Sequence, residues 1–515
     1  MKKQWRTTII LVVVLGLLLL AWLGSTLLPG AAAPSDTTAA TTVLTNIFKA
    51  EAADISSMVV SNESATFTLL PKDGTDTAGN AVINWVVQDM TDYPFAAATV
   101  NDLASVGLKL DAGQEIAAGV TDLALYGLAA PKTKLTVILK NGEKHTLSFG
   151  NEIASGSYNY AVLDNSGTIY TVAASTVDKV KYDYLDLLDK SQIVGVDEKN
   201  LNSFSFERSK DNLKLVSSCV YTESVSDEST TTYFNFSVLE PIKKVGNTDN
   251  LTVLAKEALA LEVNSFIELN PADLTQYGLD KPLYTFTLGT GSKSVVLKIG
   301  NKADDSNYYM LSDAVPAVFS ASTSAFSLLD MRFTEMVDRF VALEGIWQVD
   351  QVKVDLPEYG LSFTTNLSIS KNQNANDEDV AFTLDGENAA IRNKTGDSLY
   401  SDFYVRIIAI QFEDLDTQAA PVNTHDGSIV YSIEADLENN ISAHTKMIEF
   451  TKRDDYTYYV FIDGAYTGYY INGNTAFLSE KTDSEGIVIA YRNMKYAIAH
   501  AVDGVFNTEE GYQSD

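Results

Sequence analysis

Residue types that could do chemistry are few in this chain, and none stands in a recognised spacing. There is one cysteine and there are four histidines. No Gly-x-Ser-x-Gly elbow, His-Glu-x-x-His helix, Walker loop or dinucleotide fingerprint occurs. A single cysteine excludes an internal disulfide framework and a cysteine-based zinc cluster. Cys219 reads as a small buried hydrophobe, with a reactive thiol as the lesser alternative. His145, His425, His444 and His500 lack ligand-like spacing and read as surface or strand residues. Carboxylate pairs could hydrolyse glycosides, but 68 acidic residues single out no pair. The expectation is therefore a protein that is not an enzyme, with no cofactor, no metal and no catalytic residue assigned. One cluster invites a binding role: Tyr456, Tyr458, Tyr459, Tyr466, Tyr469 and Tyr470. Strand alternation would turn about half of them outward, making Tyr458, Tyr466 and Tyr469 candidate contacts for a glycan or peptide. Packing on a sheet is the competing and favoured reading.

These groups must be carried by folded elements, and the composition permits several. The 515 residues are 45% hydrophobic, enough for three or four domains and too apolar for a disordered chain. A net charge of −31 argues against a nucleic-acid partner, which requires clustered Lys and Arg. Asp377, Glu378 and Asp379 could attract cations, but without the ligand spacing of an EF-hand loop.

Ile9 to Leu28 is a run of 20 uncharged, mostly apolar residues, long enough as a helix to cross about 30 Å of hydrocarbon. Lys2, Lys3 and Arg6 precede it, so the expected orientation is N-terminus cytoplasmic and bulk extracytoplasmic. The alternative is a cleaved signal peptide with a small-x-small site at Ala31 and Ala33, although an apolar core of such peptides usually runs only about 7–15 residues. The domain plan is a tail over 1–8, a transmembrane helix over 9–28 and a flexible linker over 29–50. Three repeated α+β modules follow, over 51–198, 199–346 and 347–515.

The repeats carry the plan. DLALYGLAAP (122–131) and DLTQYGLDKP (273–282) share Asp-Leu, Tyr-Gly-Leu and Pro at identical spacing. Each is followed by two alternating apolar runs around a Gly-bearing turn, ending in Gly150-Asn151 or Gly300-Asn301. Earlier in each module come strand-like segments from Ile55, Leu201 and Val349, then helical stretches near 100–110, 249–261 and 398–412. The third module keeps Asp414-Leu415 and Pro421 but lacks Tyr-Gly-Leu between them. Tyr126, Gly127, Leu128 and Pro131, with Tyr277, Gly278, Leu279 and Pro282, read as a structural corner. Glycine would take positive φ, leucine would enter the core, and proline would start an edge strand. The fold class is thus α+β: a transmembrane helix, then three modules of antiparallel β-hairpins with a packed helix.

With these motifs, best seen over 122–180 and 273–329, the chain resembles a bacterial family catalogued as domain of unknown function 4340. The resemblance implies a membrane-anchored, extracytoplasmic protein encoded beside ABC transporters of the gliding-motility type. It transfers no catalytic residue. The expected function is an auxiliary component of such a transporter, binding a partner subunit or cargo. The expected partners are the lipid bilayer, through 9–28, and membrane or exported proteins. The alternative is a surface protein that binds cell-wall polysaccharide.

Overall fold

The computed structural model describes residues 45–91, 93–226, 229–369, 380–435, 442–482 and 484–512. The expected span over 9–28 and the cluster Asp377–Asp379 lie outside them. Among the described residues no helix is long and apolar enough to cross a membrane. The described residues are mostly β-strand, in antiparallel sheets built from hairpins with helices packed beside them, so strand outweighs helix in the expected α+β modules. It divides into two compact units. One takes the described residues of Met1–Thr91 and Ala97–Asp183, the other those of Asp92–Ala96 and Tyr184–Asp515.

The first unit holds an eight-stranded sheet. Its order is Ala81–Val87, Thr66–Thr75, Ile55–Ser61, Thr133–Leu139, Lys144–Glu152, Tyr158–Leu163, Ile169–Ala173, Gln114–Ala117. A small ladder pairs Thr45–Lys49 with Lys109–Ala112. The second unit holds two nine-stranded sheets. One runs Lys244–Val245, Thr230–Glu240, Leu213–Val225, Ser203–Arg208, Tyr284–Gly289, Ser294–Lys302, Asn307–Ser312, Val315–Ser322, Ser265–Leu269. The other runs Glu387–Asn388, Val380–Leu384, Leu361–Ile369, Val349–Leu356, Gly427–Ile433, His444–Lys452, Thr457–Ile462, Ala465–Asn472, Phe412–Leu415. All three follow one topology: three strands meander outward, a helix crosses, a short strand closes the far edge, and four strands return.

Alternation explains which face is buried. In Ser203–Arg208, Phe204 and Phe206 are fully buried while Ser203 and Glu207 are exposed, the pattern of an antiparallel sheet with one solvated face. The crossing helices cover the other face. In Thr248–Leu259 the Asn247 side chain caps the first turn, accepting the Asn250 N–H. Leu251, Leu254, Ala255 and Ala258 follow at helical spacing and are buried. Each such leucine contributes about 1.5–3 kcal/mol by leaving water. The fifth residue of the helix also closes a sheet edge. Thr252 Oγ1 accepts the Phe234 N–H at 3.0 Å, and in the first unit Asn101 of Ala97–Leu108 accepts the Trp85 N–H at 2.8 Å. Edge N–H groups are thereby withdrawn from pairing with other chains.

The two sheets of the second unit are joined through Lys244. Its ammonium donates to the Phe340 carbonyl and lies 5.5 Å and 5.0 Å from the Phe412 and Tyr469 ring centres. Arg339 Nη2 and Nε donate to the Phe412 carbonyl at 2.8 and 3.1 Å. Burial pushes the Lys244 pKa down to about 8, with Asp338 opposing and Lys446 adding to the shift. An unfolded lysine titrates near 10.4, so between about pH 8 and 10.4 the folded state binds fewer protons and stability rises with pH. Below pH 8 the cost of holding the charge is present in full. Lys244→Met should remove this rise, of the order of 1–3 kcal/mol after allowance for the partial exposure of the site. Urea titrations at pH 7.5 and 10 check it, and parallel shifts in wild type and variant would contradict it.

Candidate functional site

The repeated corner has the same geometry in both copies. Asp122 and Asp273 each accept a backbone N–H two residues on, from Ala124 at 3.0 Å and Thr275 at 2.8 Å, which starts a short 3-10 turn. The turn ends at Gly127 with φ 71° and Gly278 with φ 67°, a region where a side chain is strained. Leu128 N–H then bonds back to the Leu123 carbonyl at 3.0 Å, and Leu279 N–H to Leu274 at 3.1 Å, the closure that ends helical turns. Both leucines are buried. The turn lies against the Gly-Asn pair of the following hairpin: a methyl at Gly150 or Gly300 would run into the Tyr126 or Tyr277 carbonyl oxygen. The tyrosine rings pack edge-on against Tyr160 at 5.0 Å and Tyr309 at 4.9 Å. Tyr277 also donates to Glu268 at 2.5 Å, which pushes its phenol up to about 12. Pro131 and Pro282 do not start edge strands. The strands they precede, Thr133–Leu139 and Tyr284–Gly289, are flanked on both sides.

The third sheet lacks this corner, and its register shows the paired change. Ile448 faces Ile429 as Leu297 faces Phe286, so Thr451 stands where Gly300 stands in the second sheet. No Tyr-Gly-Leu turn presses on it. Its hydroxyl instead donates to Asn423 at 3.0 Å and accepts the Thr424 N–H at 3.1 Å.

The C-terminal tyrosines line this region, and two of the three candidate contacts are withdrawn from solvent. Tyr458 is 2% exposed; its hydroxyl donates to Glu358 at 2.6 Å and lies 3.0 Å from that of Tyr359. Tyr469 is 3% exposed and packs on Phe412. Neither offers a ring face to a ligand, because the first half of the sheet and the closing edge strand cover them. Tyr466 is half-buried and donates to the Asp416 carbonyl at 2.9 Å. Around it, Arg453 stacks on Tyr470 at 4.2 Å and reaches the Asp416 carboxylate at 3.4 Å. Burial raises the phenol pKa values of Tyr458, Tyr466 and Tyr469, so none of them is a base near neutral pH.

Histidine chemistry is equally committed. Glu449 is buried, has no hydrogen-bond partner of ordinary geometry and has the His425 ring against its carboxylate. The nearby Thr424 hydroxyl donates to Asp426 and that of Thr451 to Asn423. His145 pairs with Asp164 at 2.9 Å, while His444 and His500 contact backbone carbonyls. Cys219 is buried and its thiol is pushed up to about 12, which leaves it an unreactive hydrophobe. Among the described residues no group of three or more His, Cys, Asp or Glu side chains is arranged around a metal position. The buried Glu449 escapes sequence reasoning; its one signal is a charge flanked by Ile448 and Phe450 in an apolar strand.

A chain of this build is a β-sheet repeat protein whose shared features are architectural. It belongs to the family described as a domain of unknown function (DUF4340), whose model matches residues 85–226 and 239–404. The matches are out of phase with the sheets. Each begins in the third strand of one sheet and runs past the start of the next. No curated protein and no solved structure matches the chain.

Proposed function

We propose that this protein is a non-enzymatic, single-pass membrane protein whose extracytoplasmic sheets serve an ABC transporter, binding a partner subunit or cargo. The observation that carries the reading is the repetition itself: one sheet topology occurs three times, and its repeated residues serve the corner rather than a reaction. A catalyst needs one site, whereas repeated sheets with solvated faces provide extended contact surface. The uncharged run Ile9–Leu28, preceded by Lys2, Lys3 and Arg6, supplies the anchor. The burial of Tyr458 and Tyr469 weakens the polysaccharide reading, which is left with Tyr466.

The test is crosslinking in intact cells with a tagged full-length chain, followed by mass spectrometry of what co-purifies. Transporter membrane subunits should be recovered, and should be lost when residues 9–28 are replaced by a cleavable signal. Efficient crosslinking that yields no transporter component would overturn the proposal, and recovery of wall polymer alone would favour the polysaccharide reading.

A further inference from the structure

The second sheet leaves part of a strand unpaired on one side. Ser203–Arg208 covers Leu213–Val225 only as far as Ser218, with one further bond from the Cys219 N–H to the Asn202 carbonyl at 2.9 Å. On its other side the same strand pairs with Thr230–Glu240 along its length to Val225. In an antiparallel ladder, alternate residues turn their N–H and C=O to opposite neighbours. Cys219 turns towards the first strand, so Tyr221, Glu223 and Val225 turn the same way, where no strand continues. The chain that could have continued it leaves the strand line through a 3-10 turn at Glu198–Asn200, capped by Asp197.

Between that turn and the open edge is a groove of about 770 Å³, lined by Lys199, Asn200, Asn202, Tyr221, Ser292 and Lys293 among others. Two lysines and one carboxylate, Asp197, line it, in contrast to the acid-rich chain as a whole. Asp197 accepts the Lys199 N–H at 3.0 Å, and the Lys199 ammonium lies 3.9 Å from Glu223 on the open edge, an exposed pair that an incoming carboxylate would replace. The whole sequence carries 68 acidic residues against 37 basic. The first unit treats the equivalent edge differently. There Thr66–Thr75 also outruns its first-strand neighbour, which pairs only to Leu69, and the next outward-facing residue is Pro71, which has no N–H. A proline there blocks strand addition; the second sheet carries no such block at Tyr221 or Glu223.

We propose that this groove receives an extended acidic peptide segment of a partner protein, which adds as a strand along residues 221–225 and sets its carboxylates against Lys199 and Lys293. Main-chain bonds to the open edge would hold the peptide and the lysines would select its charge. The proposal shares with the preceding section only the premise that the ligand is a protein. It is tested on purified protein, so its failure and that of the transporter reading are separable.

The probe is a phage-displayed random octapeptide library selected on the purified full-length chain in detergent. An enriched peptide is then synthesised and measured by fluorescence anisotropy. The expected sequences alternate Asp or Glu with β-branched residues. Binding should fall at least tenfold in Glu223→Pro, which deletes an outward N–H and leaves the ladder to Thr230–Glu240 intact. It should fall comparably in Lys199→Glu/Lys293→Glu, whose exposed side chains keep the test valid if the proline variant misfolds. Absence of enrichment, enrichment of basic peptides, or undiminished binding by both variants would overturn the proposal. Loss of self-association in Glu223→Pro, with no peptide bound by wild type, would overturn it in favour of a second copy on this edge.

Discussion

Arg208→Met is expected to destabilise the second unit by about 3 kcal/mol, while Asp211→Asn beside it costs less than about 1 kcal/mol. Arg208 ends the first strand of its sheet with a side chain only 3% exposed. It donates to the Leu329 and Met331 carbonyls at 2.8 and 2.7 Å, and grips Asp211 through two bonds at 3.0 and 2.7 Å. Methionine fills much of the volume but leaves two carbonyls in an apolar setting, each costing about 1–3 kcal/mol when unpaired. Asp211 is nearly half exposed and can turn to water, which is why its own replacement matters less. The first unit does the same work with a neutral side chain: Asn62 donates to the Val180 and Tyr182 carbonyls, both at 2.9 Å. In both sheets the end of the first strand thus holds the segment that follows the last strand. Urea unfolding of the full chain measures the loss; equal effects from Arg208→Met and Asp211→Asn would mean that the carbonyl bonds are not what matters.

Gly300→Ala should cost about 3 kcal/mol, the upper end of what one added methyl does in a packed site. The methyl would meet the Tyr277 carbonyl oxygen, which is backbone in a turn closed by its own hydrogen bonds, together with the Leu279 side chain. Neither can retreat cheaply. Gly360→Ala is the control. Gly360 has a positive φ, 59°, which Gly300 does not, and open space around it, so only the conformational cost of about 1–2 kcal/mol applies there. A Gly300→Ala variant no worse than Gly360→Ala would show that the turn moves aside.

Much of this architecture is legible in the residues. The three helices appear within a few residues of where 3.6-residue spacing places them, and Tyr-Gly-Leu proves to be a corner in both copies. What escapes depends on distant partners. The strands that close each sheet's far edge, such as Ser265–Leu269, are short and only partly buried, so they carry little alternation. Arg208 lies in a run of charges, Glu207 to Asp211, that reads as a solvated turn; its burial depends on carbonyls more than 100 residues away. Tyr458 and Tyr469 resemble binding residues by density alone, and only the strand register decides that their rings point inward. The helix Ile487–His500 was within reach, since Ile487, Tyr491 and Met494 repeat at helical spacing.

The half-step between the family match and the sheets bears on how such chains can be recombined. A segment excised at 85–226 would take part of the third strand of one sheet without the two strands that precede it, and the first two strands of the next without the strands that flank them. Grafted into a relative, it would bring two torn sheets with bare edges. Breakpoints placed just before Ser203 and just before Val349 instead move a nine-stranded sheet with its helix, its corner and its own buried face. The stretch that the family model matches and the stretch that builds one sheet are therefore different parts of the same chain.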